Sequence, residues 1–157
     1  MDFAYTATTP KIPPRPYLTV FLRIGTRTTN YVMAVVDSGA DFCVFPYDFA
    51  DQLGMNLDHA ERIVIYGISG VEHEARLAQV KLGIVDPNTG DRAFEVPVNC
   101  AFCFNYKFGD KDSRDGGGTP LLGQSGFFNH FTITFRKSIH RFHLGIPKGF
   151  TSEVELT

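Results

Sequence analysis

The stretch YVMAVVDSGADFCVFP, residues 31–46, sets one carboxylate at the end of an apolar run. Asp37 follows Met33, Ala34, Val35 and Val36 and precedes Ser38, Gly39 and Ala40. A charge at the mouth of a strand fit for burial is costly unless hydrogen bonds hold it. Gly39 lets the backbone turn tightly, so that an amide N–H reaches the carboxylate. Ser38 can offer its hydroxyl to the same turn. Asp37 is thereby aimed, and an aimed carboxylate is a candidate general acid or base. An ordinary Asx-type turn would satisfy the tripeptide alone, so the neighbouring features have to decide.

Other reactive side chains are less telling. Cys100 and Cys103 form a C-x-x-C in "NCAFC", but the flanking FEVPVNCAFCFNY reads as a strand. Positions three apart on a strand point to opposite faces, which suits buried structural thiols and neither a redox pair nor a zinc site. His140 and His143 share that spacing on another apparent strand, so no metal is expected there either. His59, His73 and His130 take no assignable role. Residues 109–119, GDKDSRDGGGT, form a polar, Gly-rich loop without the Lys-Ser/Thr ending of a phosphate loop.

The elements that must position Asp37 alternate strictly. Leu18, Val20, Leu22 and Ile24 fall on one face of a strand, with Tyr17, Thr19, Phe21 and Arg23 opposite. Ala78, Val80, Leu82 and Ile84 repeat the pattern, as do Phe131, Ile133 and Phe135 against Thr132 and Thr134. A period of two means strands with one buried face. Turn chemistry separates them at GTRTTN (25–30), DPNTG (86–90) and GIPKG (145–149). Only 46–55 and 125–131 read as short helices. The expected fold is mainly β, a small closed or partly closed barrel.

At 157 residues the chain fits one domain, which at this size buries roughly 70% of its unfolded surface. Residues 1–16, rich in Thr and Pro, read as an extended arm, 17–150 as the barrel and 151–157 as a tail. A net charge of −2 and a pI near 6.2 give no footprint for nucleic acid. No apolar run approaches the roughly 18 residues of a membrane span. Without a basic start followed by an apolar stretch, a cytoplasmic location is expected.

Two further segments accompany Asp-Ser-Gly. In IYGISGVEHEARLAQVKLGI (65–84), Gly67 and Gly70 bracket Ile68 and Ser69 at the tip of a long hairpin. Such a hairpin can close over an extended ligand. In TPLLGQSGFFNHF (119–131), Leu121, Leu122 and Gly123 lead through Gln124 into the second helical segment. No second Asp-Ser-Gly exists. Asn88-Thr89-Gly90 echoes it without the acid and belongs to a hairpin turn.

With these three segments in this order, the chain resembles the retropepsin-like aspartic proteases, and DFCVFPYDFADQLGM resembles their bacterial single-domain members. The matching residues are VVDSGAD (35–41), the flap-like YGISG (66–70) and LLGQSGFF (121–128). The resemblance implies an acid-protease β-barrel, Asp37 as the catalytic residue, and Ser38, Gly39 and Ala40 as its support. It implies a flap of Tyr66, Gly67, Ile68, Ser69 and Gly70, and a structural motif of Leu121, Leu122, Gly123 and Gln124 near the acid. It also implies a homodimer, a peptide or protein substrate, and hydrolysis with no metal or other cofactor. The chain departs from the family in carrying Ser38 where many members have Thr, Ser69 at a flap-tip glycine, and Gln124 where Arg, Asn or Asp is common.

The uniqueness of the motif then has a reason. Acid–base hydrolysis by carboxyls needs one ionised and one protonated, and a chain with one Asp-Ser-Gly must borrow its twin from a second copy. Two other readings compete: an inactive dimeric peptide-binding module on the same fold, and an Asp-x-Gly turn that binds magnesium phosphate. The chain is short and β-rich for the latter, and Gly39 stands where a phosphatase of the dehalogenase type has its second Asp.

Overall fold

The computed structural model describes residues 1–67, 70–106, 118–147 and 153–156. Along the chain these form β1 (Asp2–Ala4), β2 (Tyr17–Ile24), β3 (Arg27–Thr28), β4 (Val32–Val36), β5 (Cys43–Pro46) and α1 (Asp48–Gln52). There follow β6 (Glu61–Tyr66), β7 (Glu72–Val85), β8 (Arg92–Cys103), β9 (Leu121–Leu122), β10 (Thr132–Arg136), β11 (Arg141–Gly145) and β12 (Glu153–Glu155). Strands β8, β5, β9, β4, β2 and β7 pair in that order, and β7 pairs back to β8. The fold is therefore mainly β, with a closed ring of six strands. A second sheet of three strands runs β1, β11, β10.

Alternation builds the barrel core. Leu18, Val20 and Leu22 of β2 and Val80, Leu82 and Ile84 of β7 are all buried. Phe45, Phe102 and Phe127 fill the space among them. Each large apolar side chain removed from water contributes about 1.5–3 kcal/mol. The other face of β2 was expected to be open, yet Tyr17 and Phe21 are buried too. Phe21 stands opposite Gly83, and a Cβ at Gly83 would lie only 2.2 Å from the ring. A missing side chain makes the seat for a large one.

Of the expected helices, α1 forms inside 46–55, whereas 125–131 is a series of turns. Gly126 sits at φ 118°, and the Phe128 N–H reaches back to the Gly123 carbonyl, outside helical spacing. This path turns Phe127 and Phe131 into the core together, and tertiary packing overrides the local helical pattern. His140, expected on a strand, is a left-handed turn residue at φ 51° instead.

The first residues of the arm are tied down. Phe3 is buried, with its ring stacked 5.2 Å from that of Phe142 on β11. Asp2 lies 3.1 Å from His143, whose hydrogen bond holds the Asp2 carboxyl below the usual carboxylate range.

Outside the ring, Arg23 on β2 pairs with Glu95 on β8. The Glu95 side chain is 2% exposed and that of Arg23 26%. Removing Glu95 leaves the Arg23 guanidinium without that partner in a site only partly open to water. Glu95→Ala is therefore expected to cost about 2–4 kcal/mol, read as a lower urea midpoint, and Glu95→Gln less. An unchanged midpoint in Glu95→Ala would mean that water reaches the guanidinium.

Candidate active site

Strand β4 delivers Asp37 half-buried at its end. The Asp37 backbone N–H donates to the Leu122 carbonyl at 3.0 Å, extending the parallel pairing of β4 with β9. Its carboxylate Oδ1 accepts the Gly39 N–H at 2.9 Å. The Ala40 N–H closes the turn on the Asp37 carbonyl at 3.2 Å. A Cβ at Gly39 would sit 3.2 Å from Oδ1, so glycine gives the amide its close approach. The carboxylate is held by backbone, as its residue types suggested.

The turn is gripped from the other side by Leu121–Gln124. The Gln124 N–H donates to the Ala40 carbonyl at 2.8 Å, and its Nε2 donates to the Ser38 carbonyl at 2.8 Å. The Ser125 N–H donates to the Asp41 carbonyl at 2.7 Å. Gly123 lies flat against this loop, where a Cβ would meet the Phe42 carbonyl oxygen at 2.2 Å and that of Ala40 at 2.6 Å. Ser38 itself is exposed, and its carbonyl is what Gln124 holds. Gln124 thus braces its own chain's loop.

Asp37 opens into a cleft of about 380 Å³. Val35, Val44 and Leu121 line its barrel side, and Val64, Ile65 and Tyr66 of β6 its hairpin side. The hairpin of β6 and β7 is joined through Gly67 and Gly70, the latter at φ 73°, where its N–H donates to the Gly67 carbonyl at 2.9 Å. Ile68 and Ser69 lie outside the described residues. Tyr66 is 66% exposed, with its hydroxyl 3.2 Å from Glu72. That carboxylate pushes the phenol's pKa up.

Three residues near the cleft escaped the sequence. Arg15 and Thr119 both line it. Tyr106 is buried behind it and donates its hydroxyl to the Thr119 carbonyl. Burial first, then the nearby Cys103 and Asp37, hold the Tyr106 phenol strongly to its neutral form. A tyrosine ending an apolar strand needs a polar partner for its hydroxyl, and that was the available signal.

The cysteines are free and buried, with Cys100 and Cys103 in different core clusters, as expected for opposite faces of a strand. Burial pushes each thiol's pKa up, that of Cys103 to about 11, so none is poised as a nucleophile. Among the described residues no group of three or more His, Cys, Asp or Glu could hold a metal ion. No described helix is long and apolar enough to cross a membrane.

No family model and no curated protein sequence matches the chain. A solved structure similar to it is the EIAV protease complexed with the inhibitor HBY-793. The two are 14% identical, with 74% of this chain and 88% of that chain covered and a TM-score of 0.36. The case for chemistry rests on the residues themselves.

Proposed function

We propose that the protein is an aspartic endopeptidase that works as a homodimer, with one Asp37 from each copy flanking a single water. The observation that carries this reading is Asp37 itself. Its carboxylate is fixed by the Gly39 amide at the end of a buried strand and faces a largely apolar cleft beneath a glycine-hinged hairpin. Two carboxyls about 3 Å apart cannot both ionise, so they share one proton. One Asp37 takes a proton from water while the other donates to the scissile carbonyl, and the tetrahedral intermediate then collapses. Ser38, Gly39 and Ala40 hold the acid, and Gln124 holds them. Residues 66–70 of each copy close over a peptide or protein substrate bound as an extended strand.

Peptide-bond hydrolysis in a diverse peptide library, followed by mass spectrometry from about pH 3 to pH 8, tests the proposal. Cleavage between apolar side chains with a bell-shaped pH profile is the expected result, since a pair sharing a proton loses activity on either side of that state. Peptide retention without cleavage at any pH would replace the protease with a binding module on the same fold.

A further inference from the structure

Charge is unevenly placed along the chain. Between Asp115 and Glu153 the sequence holds no acidic residue, although the whole chain carries a net charge of −2. Arg136, Lys137 and Arg141 of that stretch meet where β10 turns into β11, all three exposed. Arg136 and Arg141 stand directly opposite each other across the two strands, so their side chains rise from the same face. Like charges so placed repel and weaken a sheet. Among the described residues neither arginine has a carboxylate partner. Asp2, on the same face of the sheet, gives its carboxylate to His143 at 3.1 Å instead. Lys137 is occupied as well, its ammonium 3.1 Å from the Pro14 carbonyl and 4.9 Å from the centre of the Tyr5 ring. Two guanidinium forks are left side by side in solvent.

We infer that this face docks an acidic stretch of a polypeptide, whose carboxylate side chains seat on Arg136 and Arg141. A repelling pair with no internal anion is relieved by an external one, and a planar guanidinium takes a carboxylate through two hydrogen bonds. The number of cations selects the occupant. Nucleic acid held by roughly 6–10 phosphate contacts, or an anionic membrane met by about 4–8 Lys or Arg, needs more than this face offers. Two forks match two acidic side chains, which on one face of an extended segment lie about 6.8 Å apart.

The face lies beside the arm that reaches the proposed site. Pro14, whose carbonyl Lys137 holds, precedes Arg15, which lines the Asp37 cleft. That the acidic stretch belongs to a substrate, outside the segment lying in the cleft, rests on the protease reading.

A fluorescein-labelled peptide of ten glutamates tests the face by anisotropy, with no cleavage required. It is expected to bind the wild type, less tightly as salt rises, and to bind the double variant Arg136→Ser, Arg141→Ser about fivefold or more weakly. Lys81→Ser, which removes an exposed cation from β7, keeps wild-type affinity. The urea midpoint of the double variant should not fall, because the lost pair repels. Equal affinity of wild type and double variant, or no binding by the wild type, overturns the inference. So does sedimentation with phosphatidylserine vesicles that the double variant loses while the glutamate peptide goes unbound. The peptide library then separates the two readings. Peptides cut by the wild type are expected to be enriched in Asp and Glu outside the cleaved core. The double variant loses that enrichment and still cuts neutral peptides at the wild-type rate. Cleavage without enrichment overturns the substrate role and leaves the protease. Glutamate binding without any cleavage overturns the protease and leaves the docking face.

Discussion

Asp37→Asn is expected to lower kcat/KM for peptide cleavage by about 10³-fold or more, in line with loss of a general acid–base group, while the chain folds as before. Asparagine keeps the size of the side chain and an Oδ1 able to accept the Gly39 N–H, so the turn survives. It cannot take a proton from water. Half-buried and held by a neutral donor, the position adds little to stability, and a change of about 0.5 kcal/mol or less in unfolding free energy is expected. A fluorogenic peptide assay beside a urea titration separates the two effects. Full activity in Asp37→Asn would remove Asp37 from the chemistry.

The same variant asks whether one site needs two chains. When wild type and Asp37→Asn are mixed and allowed to exchange subunits, a site built from one Asp37 of each copy keeps activity in proportion to the square of the wild-type fraction. An equal mixture then retains about a quarter of the starting rate, whereas self-sufficient subunits retain about half. The curve distinguishes the proposed dimer from a catalyst complete in one chain.

Much of this was written in local sequence because its causes are local. The alternation in 17–24 and 78–84 specified strands, since a period of two admits no other regular element with one buried face. The Asx geometry of Asp37 and Gly39 depends on residues two apart and was legible for the same reason. Asp86 holds the DPNTG turn in the same way, accepting the Asn88 N–H at 2.8 Å. What failed to show depends on partners distant in sequence. Phe21 is buried because residue 83 has no side chain, 62 positions away, and nothing within β2 signals it. The 125–131 segment looks helical in isolation but bends to seat two phenylalanine rings and to bring Gly126 so near Cys43 that a Cβ there would lie 3.1 Å from the sulfur. Gln124 read only as a departure from a position where Arg, Asn or Asp is common. Its bond to Ser38, 86 residues away, shows a role that only the fold could reveal.

Among the described glycines, Gly123 should be the costliest to replace. Its φ is not left-handed, so alanine there meets no conformational strain, and the argument is one of contact alone. The new methyl would lie 2.2 Å from the Phe42 carbonyl oxygen and 2.6 Å from that of Ala40. Both obstacles are backbone, so no rotamer change relieves them. Either β9 must retreat from the loop at 40–42, or that loop must move. Retreat breaks the bonds from Gln124 to Ala40 and Ser38 and that from Asp37 to Leu122, which together aim the carboxylate. Gly123→Ala is therefore expected to lose about 2–4 kcal/mol, at or above the usual range for overpacking. Peptide cleavage should fall further than the unfolded fraction explains, because the surviving folded molecules carry a displaced acid. Gly90→Ala is the matched control: it has φ 70° and no neighbour within 4 Å, so only backbone strain of about 1–2 kcal/mol applies, far from the cleft. Equal urea midpoints for the two variants, or a Gly123→Ala chain as active as wild type, would mean that the loop yields without disturbing Asp37. The brace from β9 would then have no part in aiming the acid.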